Sequence, residues 1–165
     1  MRERNRLLKD MVRDSHWYAA LELRMAETGA AIHANRLAAL TELAAAQEKA
    51  QTAFPTATLD LLPGELGMPE TSADFRDALA KNRQRDLAAG RTLIGPHRAD
   101  LFGVYAAKAV PARDCSTGEQ KALLVSLILA NARALALDVC ASPLLLIDEV
   151  AAHLDGNRRA ALYEE

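Results

Sequence analysis

Aromatic residues make up only 4% of this 165-residue chain: one tryptophan, three tyrosines and three phenylalanines. A core must then be assembled from Leu, Ala, Val and Ile, which favours packed helices over a sandwich of twisted sheets. Cysteine is scarcer still. Cys115 and Cys140 stand far apart with no His or Cys at ligand spacing, so neither a zinc site nor a disulfide framework is indicated, and two reduced thiols of a cytosolic protein are expected. Neither sign of charge is in excess. The formal balance of −2 at pH 7 exerts no global pull toward nucleic acid or an anionic membrane, so any such contact needs a local patch. No run approaches the ~20 apolar residues that cross a bilayer. The opening Met1-Arg2-Glu3-Arg4-Asn5-Arg6 is charged and has no apolar stretch of signal-peptide length behind it, so a soluble, cytoplasmic protein is expected. The most telling absence concerns glycine. None of the eight, at positions 29, 64, 67, 90, 95, 103, 118 and 156, is followed by lysine, so there is no G-x-x-x-x-G-K-[ST] loop to cradle the β- and γ-phosphates of a nucleotide.

Half of the residues are hydrophobic, and a chain of this size hides roughly 70% of its unfolded surface on folding. One compact unit, or a small domain with a helical arm, is expected. Residues 1–13 alternate Arg2, Arg4, Arg6, Lys9 and Arg13 with Leu7, Leu8, Met11 and Val12, a pattern that a helix splits into a wet and a dry face. Asp14 and Ser15 offer a cap for the next helix. Trp17, Leu21, Met25, Ile32, Leu37, Leu40 and Leu43 then recur at steps that mostly sum threes and fours, predicting a helix to about Thr52 with a kink or break at Gly29. Unbroken, it would be an arm of about 55 Å.

Phe54-Pro55 stops this helix, and residues 56–62 read as a strand ended by Pro63-Gly64. Thr71 or Ser72 caps a further helix to about Ala89, whose thin stripe of Phe75, Leu79 and Leu87 predicts a surface position. From Arg91 to Cys115 the pattern turns to short extended pieces, with Leu101–Tyr105 and Lys108–Arg113 pairing through Ala106-Ala107 in a turn that lacks Asn-Gly chemistry. A strong helical pattern runs from residue 117 to about 139. After Ser142-Pro143, the continuous apolar run Leu144–Ile147 reads as a strand buried on both faces of a parallel sheet.

Two groups near the end of the chain carry chemistry. Asp148-Glu149 closes the apolar run; adjacent carboxylates at the edge of a rigid strand can hold Mg²⁺ and orient an attacking water, although two acids also end many strands in solvent. In Ser116-Thr117-Gly118-Glu119-Gln120, Ser116 and Glu119 have the spacing of a capping box, which needs no ligand. The same helix start points free N–H groups and a positive dipole end outward, as phosphate-binding helix starts do, while Gly118 permits close approach. Glu119 can stay in the cap or swing away.

Ser-x-Gly-x-Gln, the 27 residues from Lys121 to Ile147, Asp148-Glu149 and the trailing Leu154-Asp155 together resemble the signature, Walker B and D-loop motifs of ABC-type ATPase heads. Gly95-Pro96-His97-Arg98-Ala99-Asp100-Leu101 resembles the Gly-Pro-His-Arg segment of the RecF family of DNA replication and repair proteins, as do Arg2–Lys9 and Ala26–Ile32. The resemblance spans nearly the whole chain. It implies an α/β fold: a helical arm region with one short strand over residues 1–90, and the C-terminal part of an incomplete P-loop NTPase head over residues 91–165. It further implies an ATP- and Mg²⁺-dependent homodimeric DNA clamp in repair, replication, recombination and the SOS response, acting on single-stranded, gapped or junction DNA with RecR and helping to load RecA. No membrane is involved.

Carried onto this chain, Ser116, Gly118 and Gln120 would contact nucleotide bound on the other subunit. Asp148 would hold the metal, Glu149 would be the catalytic base, and Asp155 the D-loop residue. His97 and Arg98 match the family hallmark but have no derivable role; an Arg98–Asp100 ion pair competes with contact to DNA or nucleotide. Without the phosphate loop, which in the family lies N-terminal in a longer protein, the chain is expected to be an internal or C-terminal piece, inactive as an ATPase alone. Two other readings stay open: a non-catalytic DNA- or protein-binding fragment, and another SMC-like head. Arg2, Arg4, Arg6, Lys9 and Arg13, with Lys81, Arg83, Arg85 and Arg91, are candidates for tracking phosphates, or else form solvated faces.

Overall fold

The computed structural model describes residues 1–148, 150 and 154–164. The Asp14 carboxylate accepts the His16 N–H at 2.8 Å, and from there one helix, α2 (Ser15–Lys49), runs without a break. It follows a shorter α1 (Arg2–Lys9), which stops four residues before Arg13 and turns through Met11 at φ +52°. Gly29 does not end α2, which continues through it. A Cβ at Gly29 would stand 2.3 Å from Cε1 of Phe75, and one at Gly95 would stand 2.8 Å from Cζ of the same ring. The two glycines are the walls of a slot for Phe75.

The chain folds into two units, Met1–Leu37 with Leu61–Asp100 and Ala38–Asp60 with Leu101–Glu165. In the first, α3 (Ser72–Lys81) and α4 (Arg83–Ala89) replace the single helix expected to Ala89; Asn82 is the C-cap of one and the N-cap of the next. Thr71 caps α3 by accepting the Asp74 N–H, and Gly90 ends α4 in the left-handed conformation at φ +63°. As the thin stripe predicts, α3 lies on the surface: seven of its ten residues are exposed, and only the stripe turns inward. Phe75 and Leu79 are fully buried with Ala26 and Ile94, and a side chain of this kind contributes roughly 1.5–3 kcal/mol on burial. Two large side chains on one turn suffice when the opposing face is small, and Ala26 and Gly29 make it so.

Beside this core lies a buried polar network. Arg4, with no solvent exposure, bonds Glu22 through Nε (3.1 Å) and Nη2 (3.0 Å), and Asp86 (2.8 Å) and Thr92 (2.7 Å) through Nη1. Arg83 adds a second cation to Glu22 at 2.5 Å, and Asn5 accepts both the N–H and the hydroxyl of Thr92. Two guanidiniums thus face two carboxylates, which is the condition for burying charge at all.

In the second unit the core is Phe54, Val125, Leu129 and Leu154. The strands β1 (Ala57–Leu62), β2 (Asp100–Tyr105) and β3 (Val110–Pro111) form a sheet of that order, with β2 and β3 antiparallel in the register Val104 to Pro111 and Tyr105 to Val110. Their turn places Ala109 at φ +52°, the strain expected where Asn-Gly is lacking. Gln47 of α2 bonds both backbone groups of Ala57, donating to its carbonyl at 3.0 Å and accepting its N–H at 2.9 Å.

Helix α5 (Thr117–Val139) buries Ala122, Leu123, Val125, Ser126, Leu129, Ala130 and Ala132. Its 23 residues, with a mean hydropathy of 1.8, have the length and composition of a membrane span, contrary to the expectation that no run comes close. It serves as a core helix. The strand expected at Leu144–Ile147 does not form: the segment has no ladder partner among the described residues, and Leu144 and Leu146 are 86% and 90% exposed. A strand apolar on both faces needs a sheet neighbour on each side and a layer above and below, and the three strands present lie elsewhere in sequence and pair among themselves. α6 (Gly156–Glu164) closes the described chain.

Candidate functional site

The start of α5 is built from the turn that precedes it. A single 3-10 turn, Ala112–Asp114, leads into extended Cys115 and Ser116. The capping box expected from sequence is present in both directions: the Ser116 N–H donates to Glu119 Oε2 at 2.9 Å, and Ser116 Oγ accepts the Glu119 N–H at 3.4 Å. The Ser116 hydroxyl proton is also directed at Glu119 Oε2, 2.9 Å away. The β2–β3 turn brings Lys108 onto Glu119 Oε1. This ammonium, together with the two Ser116 donors, lowers the Glu119 carboxyl from 4.5 to about 2, and Glu119 in turn raises Lys108. Gln120 Nε2 holds the incoming turn through the carbonyls of Arg113 (3.1 Å) and Cys115 (3.0 Å).

Ser116, Gly118 and Gln120 are exposed, and a Cβ at Gly118 would meet nothing within 4 Å. Packing inside the chain gives no reason for glycine there. The structure thus gathers Ser116, Glu119, Gln120 and Lys108 into one outward-facing, hydrogen-bonded turn. Lys108 was not recognised from sequence. Its position depends on the hairpin register, and the only signal was a lone lysine in a turn.

Asp148 is exposed and lies outside any strand. Glu149, the candidate base, lies outside the described residues. Asp155 caps α6, accepting the Arg158 N–H at 2.9 Å and pairing with the Arg158 guanidinium at 3.6 Å. Among the described residues no three His, Cys, Asp or Glu side chains converge to hold a metal. A single exposed carboxylate is nevertheless compatible with Mg²⁺, which takes hard oxygen ligands and commonly uses one or two carboxylates beside phosphate oxygens.

His97 and Arg98 belong to the other unit, on the 3-10 turn Pro96–Arg98. His97 Nε2 lies 3.0 Å from the Thr92 carbonyl, which can only accept, so Nε2 carries a proton and Nδ1 is the bare nitrogen of the neutral ring. Arg36 donates to the Pro96 carbonyl at 2.6 Å. Both ring and turn are therefore held, and His97 and Arg98 are exposed.

A DNA replication and repair protein RecF from Mesorhizobium japonicum is 50% identical over 171 aligned positions, covering 99% of this chain and 45% of the relative. RecF of Brucella abortus is also 50% identical, over 99% of this chain and 44% of its own length. Along nearly its whole length the chain is similar to RecF proteins. It spans about half the length of the curated relatives it matches. Among solved structures, the recombination mediator RecF with ATP superposes with a TM-score of 0.78 over 98% of this chain and 46% of that one, at 24% identity. A RecF structure with an ATP analogue gives 0.74 over 94% and 44%, at 26% identity. No protein-family model matches. The mixed fold of helices with a small sheet is thus that of part of RecF, an ABC-type ATPase.

In this chain the set of cations free to meet phosphate is smaller than the sequence suggests. Arg4 is buried with its guanidinium fully engaged, and Arg83 is paired with Glu22. Arg2, Arg6, Lys9, Lys81, Arg85 and Arg91 are exposed.

Proposed function

We propose that this chain forms part of a RecF-type DNA repair and replication ATPase and supplies half of a composite nucleotide site between two copies. The observation that carries this reading is the exposed, donor-rich start of α5, with a glycine that nothing in the chain requires. Ser116 and Gly118 would meet the γ-phosphate of nucleotide held by the other subunit, and Gln120 would keep the turn in shape. To do so the Ser116 hydroxyl turns from Glu119 to a phosphate oxygen, while Lys108 retains the Glu119 carboxylate and limits its repulsion of the nucleotide. Asp148 would hold Mg²⁺, which screens phosphate charge when bound; Glu149 would accept a proton from the attacking water, and Asp155 would lie at the subunit interface. In the complete protein, Leu144–Ile147 would gain sheet partners from the part of the RecF length that this chain does not span.

Residues 1–90 would act as the arm region and 91–165 as the C-terminal part of the head. The protein would work in the cytoplasm as an ATP-dependent dimer on single-stranded, gapped or junction DNA, with RecR and, indirectly, RecA. Because the 165 residues hold no phosphate-cradling loop, the chain by itself would bind rather than hydrolyse. The deciding experiment replaces Ser116 with Arg in the full-length protein. ATP binding to each subunit should persist while ATP-driven dimerisation, followed by sedimentation, is lost; unchanged dimerisation would sink the trans role.

A further inference from the structure

Helix α1 has eight residues, fewer than the ~12–15 at which an isolated helix becomes even marginal in water. It is held by its inward face. Arg4 and Leu8 are buried, Arg4 in the network with Glu22, Asp86 and Thr92. At 100° per residue Arg2, Arg6 and Lys9 fall together on the opposite face, within about 60° of arc. All three are exposed, and none makes an ion pair among the described residues. They line a shallow groove of about 530 Å³ with Met1, Asn5 and Asp10. The stem of Lys9 lies over Gly90, where a Cβ would be 3.7 Å from Lys9 Cγ, so the ridge leads on to exposed Arg91. The acids near it are Glu3 and Asp10, on its flank; Asp86 of the facing α4 is buried and already neutralised by Arg4.

We propose that the Arg2–Arg6–Lys9 face of α1 is a docking ridge for the phosphate backbone of duplex DNA. This rests on the reading above that the protein acts on DNA, and names the surface that touches it. The ridge is about 10 Å long, and phosphates of one strand of a duplex recur every ~3.4 Å along its axis, so three cations match about three phosphates of one strand. The cations are assigned to phosphates rather than to base edges, because nothing else in the groove would hold a base pair in register. The groove has no aromatic side chain, and Asn5, its one amide, already accepts two hydrogen bonds from Thr92. Binding here is sequence-independent. The buried Arg4 fixes the rotation of α1, so the three cations are presented without ordering the helix at the moment of binding.

The test replaces Arg2, Arg6 and Lys9 together with Gln in the full-length protein and follows a fluorescein-labelled 30-base-pair duplex by anisotropy as salt rises. Each lost phosphate contact removes about 0.9 from the slope of log K against log salt. The triple variant should therefore lose about 2 to 3 from the slope and bind at least ~10-fold more weakly at 100 mM salt, equally for unrelated sequences. ATP-driven dimerisation should be unchanged, which separates this ridge from the nucleotide site. Replacing Arg24 and Arg76, exposed cations paired with Glu27 and Asp77, should leave the slope in place. A triple variant with wild-type slope overturns the proposal, and so does loss of binding to phosphatidylserine vesicles with duplex binding intact. A wild-type protein that fails to bind duplex overturns both this ridge and the DNA-binding part of the function.

Discussion

Replacing Arg4 with Met should be among the most damaging single changes in the first unit. The side chain has no solvent exposure and makes five hydrogen bonds, to Glu22, Asp86, Thr92 and the Leu79 carbonyl. Met fills much of the volume but leaves Asp86, also fully buried, without a cation. The other Asp86 oxygen accepts the Leu93 N–H at 3.0 Å, which holds the carboxylate in place. Glu22 retains Arg83, so the loss falls mainly on Asp86 and Thr92. Removing one partner of a buried pair costs about 3–5 kcal/mol. With a urea m-value of about 2 kcal/mol per molar, the midpoint of the first unit's transition should fall by about 1.5–2.5 M. Urea titration followed by fluorescence of Trp17, on α2 of that unit, reads this directly. A shift below about 0.5 M, equivalent to ~1 kcal/mol, would refute the argument that the network is what fixes α1.

Gly29→Ala should destabilise despite the ~1 kcal/mol that Ala gains in a helix interior, because its Cβ meets a ring that Gly95 prevents from retreating. A net loss of about 1–2 kcal/mol is expected, partly recovered by adding Phe75→Leu; a stabilised Gly29→Ala chain would show that the ring has room. Glu119 should titrate by NMR near pH 2 rather than 4.5. Since its folded pKa is depressed, its contribution to stability is complete above pH 4.5 and fades as pH falls toward 2. Lys108→Met should move the Glu119 midpoint upward, and an unmoved midpoint would mean that the Ser116 donors alone depress it.

Much of the organisation was legible because the relevant signals are local. The Ser116–Glu119 capping box, the Thr71 cap, the Pro63-Gly64 stop and the Gly90 terminus each act within a few residues. What escaped the sequence was set by distant partners. Trp17, Ile32 and Leu37 have the periodicity of a buried face, yet they are exposed, because α2 turns Tyr18, Glu22, Ala26 and Gly29 inward. Hydrophobicity cannot reveal a face whose use is to fit a ring and neutralise an arginine. Arg4 read as one cation of a surface run for the same reason; Glu22, Asp86 and Thr92 are 18, 82 and 88 residues away. Leu144–Ile147 failed in the opposite sense. Its composition describes an environment that these residues do not supply within this chain. At the site, Ser116, Gly118 and Gln120 were found through their spacing, whereas Lys108 is joined to Glu119 only by the fold of the hairpin.

The amide of Gln47 has a consequence for how this protein behaves among other chains. A side-chain amide carries one donor and one acceptor in nearly the arrangement of a peptide group, and here it satisfies both backbone groups of Ala57 at the head of an outer strand. An open outer strand is a template on which foreign chains add and aggregates grow. Gln47 occupies that template at its first rung, so self-association through this end of β1 requires prising away two bonds before any can form.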